Sequence, residues 1–102
     1  MTGESSSILD EHAAAHVAEL FRAFSDTSRV RILFALISQE FNVGMLAEQV
    51  GISESAVSHH LRGLRQMRLV QARRDGKEVY YRVTDEHIIT LFQQGVKHVQ
   101  DE

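Results

Sequence analysis

The chain has 102 residues, 43% of them hydrophobic and 25% charged, and a formal net charge of −3, the balance of a single globular domain. Cysteine is absent, which excludes disulfides, thiolate metal sites and thiol redox chemistry. No secretory leader and no apolar run near the ~18 residues of a membrane helix can be read, so a cytoplasmic protein with no membrane partner is expected.

The modest net charge hides a strong asymmetry. Residues 1–59 hold three arginines against eight acids, whereas residues 60–82 hold six arginines and Lys77 against Asp75 and Glu78. Residues 83–102 are acidic again. The basic block is the expected footprint on a polyanion, although a solvated hairpin would have the same composition.

Residues 1–7 (MTGESSS) read as a disordered tail and residues 8–102 as one domain. From residue 8 to about 24, Val17, Leu20, Phe21 and Phe24 recur at helical spacing. His12 and His16 form an i, i+4 pair on this helix, beside Asp10 and Glu11. The preferred reading is an ordinary amphipathic interface helix, with an accessory metal site as the alternative. No Glu follows His12 as a metalloprotease HExxH motif requires, so hydrolytic chemistry is not indicated. Asp26-Thr27 breaks the pattern and opens a second helix, residues 28 to about 38, rich in Val30, Ile32, Leu33 and Leu36.

Residues 43–50 (VGMLAEQV) predict a short helix stopped by Gly51. Ser53 caps the next, residues 54 to about 67, with Val57, Leu61 and Leu64 facing the core. Two helices joined by a short glycine-containing turn form a helix-turn-helix, which sends the second helix into the DNA major groove. Ser55, Ser58 and His59 lie in its N-terminal half, where base edges and phosphates are met, and Arg62 and Arg65 can anchor phosphates further along. Serines at a helix start and arginines on a solvated face are the plainer explanation of each residue taken singly. Beyond Leu69 the period changes to two: residues 70–74 and 78–83 predict a hairpin turning at Asp75-Gly76, with Arg73, Arg74 and Lys77 crowding its tip. A hairpin behind a recognition helix is a wing, and basic residues there suit phosphate or minor-groove contact.

The final helix carries Asp85 and His87 at one end and His98 and Asp101 at the other. His87 and His98 are 11 positions apart, on one face but separated by roughly 16 Å along the axis. One ion cannot bridge them, because zinc–imidazole bonds are only about 2 Å long. His98 and Asp101 are neighbours on one face, and Asp85 can approach His87 if it sits at the N-cap. Each end is therefore half a site, and two antiparallel copies of the helix would supply two imidazoles and two carboxylates to each of two symmetry-related ions. Helix capping, a solvated last turn and interface packing account for the same four residues without a metal.

Together, VGMLAEQVGISESAVSHHLRGLRQMRLVQARRDGKEVYYRV and the following DEHIITLFQQGVKHV resemble the ArsR/SmtB family of bacterial metal-responsive repressors, in its zinc-sensing branch. The resemblance spans about residues 15–101 and is most specific in SESAVSHHL, the DGKEVYY wing and the two ends of the last helix. It implies a mainly α fold with a β-hairpin wing, a winged helix-turn-helix dimerising through its first and last helices. It also implies an apo homodimer that binds operator double-stranded DNA and is released by metal. The zinc ligands would fall on Asp85 and His87 of one protomer with His98 and Asp101 of the other, and DNA-reading residues on Ser55, Ser58 and His59. Asp101 departs from the Glu or His often found at the last ligand position. The family's cysteine motif at the third helix reads Asn42-Val43-Gly44 here, so thiolate sensing of arsenic, cadmium or lead is not expected.

The expected function is thus a zinc-responsive repressor, with Zn2+ or Co2+ as allosteric effector and no enzymatic role. The alternative is a repressor of the same fold that senses no metal. An enzyme or metal buffer is disfavoured by the lack of cleft-forming loops and of a nucleophile constellation.

Overall fold

Helices in this chain begin where a short polar side chain can accept from the free N–H groups of the first turn. A computed structural model describes residues 7–101. Asp10 caps α1 (Glu11–Arg22), Asp26 caps α2 (Thr27–Ser38), Asn42 caps α3 (Val43–Val50), Ser53 caps α4 (Glu54–Gln66) and Asp85 caps α5 (Glu86–Gln100). Strands β1 (Gln71–Asp75) and β2 (Glu78–Arg82) pair as an antiparallel hairpin between α4 and α5. Apart from Ser7, the expected tail lies outside the described residues.

The helix-turn-helix follows the sequence closely. Gly51 takes φ 79°, the left-handed conformation glycine adopts without a Cβ penalty, and its N–H donates to the Ala47 carbonyl. Val57, Leu61 and Leu64 are buried, as expected from their spacing, against Ile32, Leu33 and Leu36 of α2 and Leu46 of α3. Arg68 ends α4 at φ 62°, with the Leu69 N–H returning to the Leu64 carbonyl at 2.9 Å. That left-handed step, uncommon outside glycine, turns the chain from α4 into the wing.

Two expectations need correction. The first helix starts at Glu11, because Asp10 accepts from the Ala13 N–H at 2.8 Å and leaves Ile8 and Leu9 outside the helix. The hairpin turns at Gly76-Lys77, not at Asp75-Gly76, since Asp75 pairs with Glu78 in the ladder. Gly76 alone has positive φ there, 64°, as suits a tight turn with glycine in its first central position.

Phe41 adds a one-residue bridge to the outer edge of the hairpin. Its N–H donates to the Tyr81 carbonyl at 3.2 Å and its carbonyl accepts from the Tyr81 N–H at 2.9 Å. One residue pair along, the Val83 N–H donates to the Leu36 carbonyl at 3.1 Å. The wing is therefore bonded to the end of α2 and does not hang from its own turn. By contrast, no residue of α1 is buried, and Phe21 is 49% exposed. The apolar stripe read from α1 is real, but within one protomer it has little to cover it.

Candidate nucleic-acid interface and metal half-sites

The core-facing residues of α4 leave its opposite arc to solvent. Ser55, Ser58, His59, Arg62 and Arg65 are all exposed there. Ser55 Oγ lies 3.3 Å from the Oγ of Ser53, the N-cap itself. Ser58, Arg62 and Arg65 line a polar groove of about 530 Å³ with Gln66 and Tyr81. Tyr81 belongs to β2, so this groove runs between recognition helix and wing. Its participation was not legible in the sequence, because no spacing rule connects residue 81 with residue 58.

The three basic residues expected at the wing divide into two kinds. The side chains of Arg74 and Lys77 are exposed and make no hydrogen bond or ion pair among the described residues, leaving their charges available to a polyanion. Arg73 is engaged. Its guanidinium donates to Glu40 from Nε at 2.9 Å and from Nη2 at 2.8 Å, the paired geometry that suits arginine to a carboxylate. It also lies 5.1 Å from the centre of the Tyr80 ring. A second tie runs from Asn42 Nδ2 to Glu78 Oε1 at 3.1 Å, while Asn42 Oδ1 caps α3. Glu40 and Asn42 thus fix the wing against the entrance of the helix-turn-helix.

The hydrogen bonds from Arg73 hold the Glu40 carboxyl below its ordinary value of 4.5, with the charges of Arg73 and Arg82 adding to the effect. A carboxylate lowered in the folded state contributes stability that is present above its unfolded pKa and lost as pH falls through the folded one. Replacing Glu40 with Gln is therefore expected to lower the urea midpoint at neutral pH. The gap to wild type should narrow as pH falls below 4.5. A gap that is constant across that range would show that the ion pair adds nothing.

The last helix brings Asp85 and His87 together at its start, whereas at its end Asp101 approaches Lys97. Asp85 Oδ1 accepts from the His87 N–H at 2.8 Å and from the Ile88 N–H at 3.3 Å, which makes Asp85 the N-cap. The same oxygen lies 3.6 Å from His87 Nδ1, and the His87 side chain is fully exposed. Capping therefore sets the carboxylate beside the imidazole and leaves Oδ2 without a hydrogen bond among the described residues. At the other end Asp101 is the C-cap, with Oδ2 3.5 Å from Lys97 Nζ. His98 borders an apolar groove of about 770 Å³ that also includes Phe21, Phe24, Leu91, Val96 and Val99. No three metal-ligating side chains converge among the described residues. His12 and His16 stack edge to face with ring centres 4.4 Å apart, which leaves both readings of that pair open.

An exposed second helix with a basic, anchored wing behind it defines a winged helix-turn-helix fold. The family described as "Bacterial regulatory protein, arsR family" matches residues 26–72. The chain is 47% identical over 88 residues to the "Transcriptional repressor SmtB homolog" of Synechocystis sp., an alignment covering 86% of this chain and 67% of that protein. It is 47% identical over 75 residues to the "HTH-type transcriptional regulator KmtR" of Mycobacterium tuberculosis, covering 74% and 58%. The chain thus spans between 58% and 67% of these two relatives. Among solved structures, the AntR antimony-specific transcriptional repressor superposes with a TM-score of 0.85 at 29% identity, covering 94% of this chain and 87% of that one. The chain belongs to the ArsR family. Among its described residues no helix is long and apolar enough to cross a membrane.

Proposed function

We propose that this chain is a zinc-responsive transcriptional repressor that binds operator DNA as an apo homodimer and is released when metal binds between its C-terminal helices. The observation that carries the reading is the start of α5, where capping sets Asp85 beside His87, on a helix whose far end carries His98 and Asp101 three positions apart and exposed. Dimerisation through α1 and α5 would cover Phe21 and Val99, which are 49% and 64% exposed in one protomer. It would also put one half-site of each chain within reach of the complementary half of its partner.

The donor set fits the ion. Two imidazoles and two carboxylates, with no thiolate anywhere, suit tetrahedral zinc, or cobalt in the same ligand field. Asp85 can contribute Oδ2 while Oδ1 keeps its capping role. Asp101 must leave Lys97, an exposed i, i+4 pair that contributes little. When bound, zinc supplies a rigid cross-link between two helices. Through α4 the apo dimer reads two half-sites about one helical turn, 34 Å, apart. Ser55, Ser58 and His59 meet base edges, while Arg62, Arg65, Arg74 and Lys77 meet phosphates. Arg73 keeps the wing in place and adds its charge to that surface.

Titrating zinc into the complex of the dimer with an operator selected from random duplexes tests the reading. Release of the DNA supports it. Binding indifferent to zinc favours the alternative of a repressor that senses no metal, in which the α5 histidines serve only packing.

A further inference from the structure

Beside the groove between α4 and the wing lies a second basic surface, on the flank of α4 that faces α2. Arg29, in the first turn of α2, joins His59, His60, Arg62, Gly63 and Gln66 around a pocket of about 150 Å³. Its lining holds two arginines and two histidines and no acid. The pocket is open to solvent on one side, as access by a phosphate group requires.

Arg29 is under-used within the protein. Its Nη2 donates to the Arg22 carbonyl at 3.1 Å, and its Nε is enclosed without a hydrogen-bond partner. Enclosed donors are normally satisfied, so an arginine kept in this state calls for a reason. No carboxylate forms an ion pair with it among the described residues. The acid close by is Asp26, whose Oδ1 is already committed to the Arg29 backbone N–H at 3.0 Å as the cap of α2. That hydrogen bond is the main cause of the lowered Asp26 pKa, and the charges of His60 and Arg29 lower it further. Asp26 therefore stays ionised and offsets part of the local positive charge without filling the pocket.

We propose that this pocket is a DNA-phosphate subsite, in which Arg29 and His60 take a backbone phosphate bordering the major groove that α4 enters. The subsite rests on the reading of α4 as a recognition helix and extends it to Arg29 and His60, neither of which the sequence marked as a DNA contact. Arginine presents a fork of donors to phosphate oxygens, and phosphate contacts fix the register of a protein on the duplex. The link from Arg29 to the Arg22 carbonyl also places this contact at the corner between α1 and α2. The DNA strand would then touch an element adjoining the apolar face of α1, as well as the recognition helix and wing.

The test compares wild type, Arg29→Gln, His60→Asn and Lys77→Ala on the selected operator over a range of salt, then on duplexes carrying single methylphosphonate substitutions. Loss of one phosphate contact per half-site should lower the slope of log affinity against log salt by about 1.8 for Arg29→Gln, twice the ~0.9 per contact on duplex DNA. One neutralised phosphate per half-site should weaken wild type and leave Arg29→Gln unaffected. His60→Asn should show the same insensitivity, and it carries the test if Arg29→Gln does not fold. Weaker binding with the wild-type slope and the wild-type methylphosphonate pattern in both variants would assign Arg29 and His60 a structural role and overturn the subsite. A wild-type affinity independent of salt and unaffected by Lys77→Ala would instead overturn the operator-binding reading from which the subsite follows.

Discussion

Homodimers of His87→Ala or His98→Ala are expected to lose tight zinc binding, because each substitution removes one imidazole from both symmetry-related sites. Mixing the two variants should restore half of it. In the heterodimer one interhelical site lacks both histidines, while the other keeps His87 from one chain and His98 from its partner. One zinc should therefore bind per heterodimer, a result that equilibrium dialysis of the isolated species reads directly. A site confined to one chain predicts no rescue, since each subunit would still lack a ligand. Neither histidine is buried, so both variants are expected to fold, and a heterodimer that assembles normally yet binds no zinc would defeat the shared site.

The second large effect is expected at the recognition helix. Ser58→Ala and His59→Ala should each weaken specific binding by ~1–3 kcal/mol if they touch base edges, with discrimination relaxed at the base concerned. Arg74→Ala and Lys77→Ala should weaken all sequences alike and flatten the salt dependence. Arg73→Ala is different in kind, for it also releases Glu40 and the anchoring of the wing. Competition binding against point-substituted operators separates these classes. Equal losses on every sequence for Ser58→Ala and His59→Ala would remove those residues from base readout.

Much of this fold was legible because its signals are local. The caps Asp26, Ser53 and Asp85, the stop at Gly51 and the buried trio Val57, Leu61 and Leu64 each lie within a few residues of the structure they determine. The pairing of Asp85 with His87 was legible for the same reason: an N-cap carboxylate turns back toward the first turn of its own helix. The hairpin was placed correctly but its turn was one residue early, because Asp75-Gly76 and Gly76-Lys77 both supply a glycine and only the ladder partner Glu78 decides between them.

What the sequence did not reveal depends on distant residues meeting. The Phe41–Tyr81 bridge spans 40 positions and leaves no periodic trace. Glu40 and Arg73 are separated by 33 positions, and their pairing turned a residue expected to contact DNA freely into one held within the protein. Arg29 looked like an ordinary residue at the start of a helix, and only the packing of α2 beside α4 brings it to His60. The exposed apolar side of α1 poses the complementary problem. Its stripe was visible in the sequence, yet in the proposed dimer what covers it belongs to a second copy of the chain.

Coupling between metal and DNA is the centre of this account, and it is measured by operator affinity with and without zinc at fixed salt. Fluorescence anisotropy of the selected operator, titrated with the dimer in chelator and then with two zinc ions per dimer, gives both constants under matched conditions. The account predicts weaker binding with zinc by about 5- to 150-fold, the usual range for an allosteric coupling. Linkage requires zinc to bind the DNA complex more weakly than the free dimer by the same factor. Equal operator affinities in chelator and in saturating zinc, with zinc demonstrably bound, would contradict it.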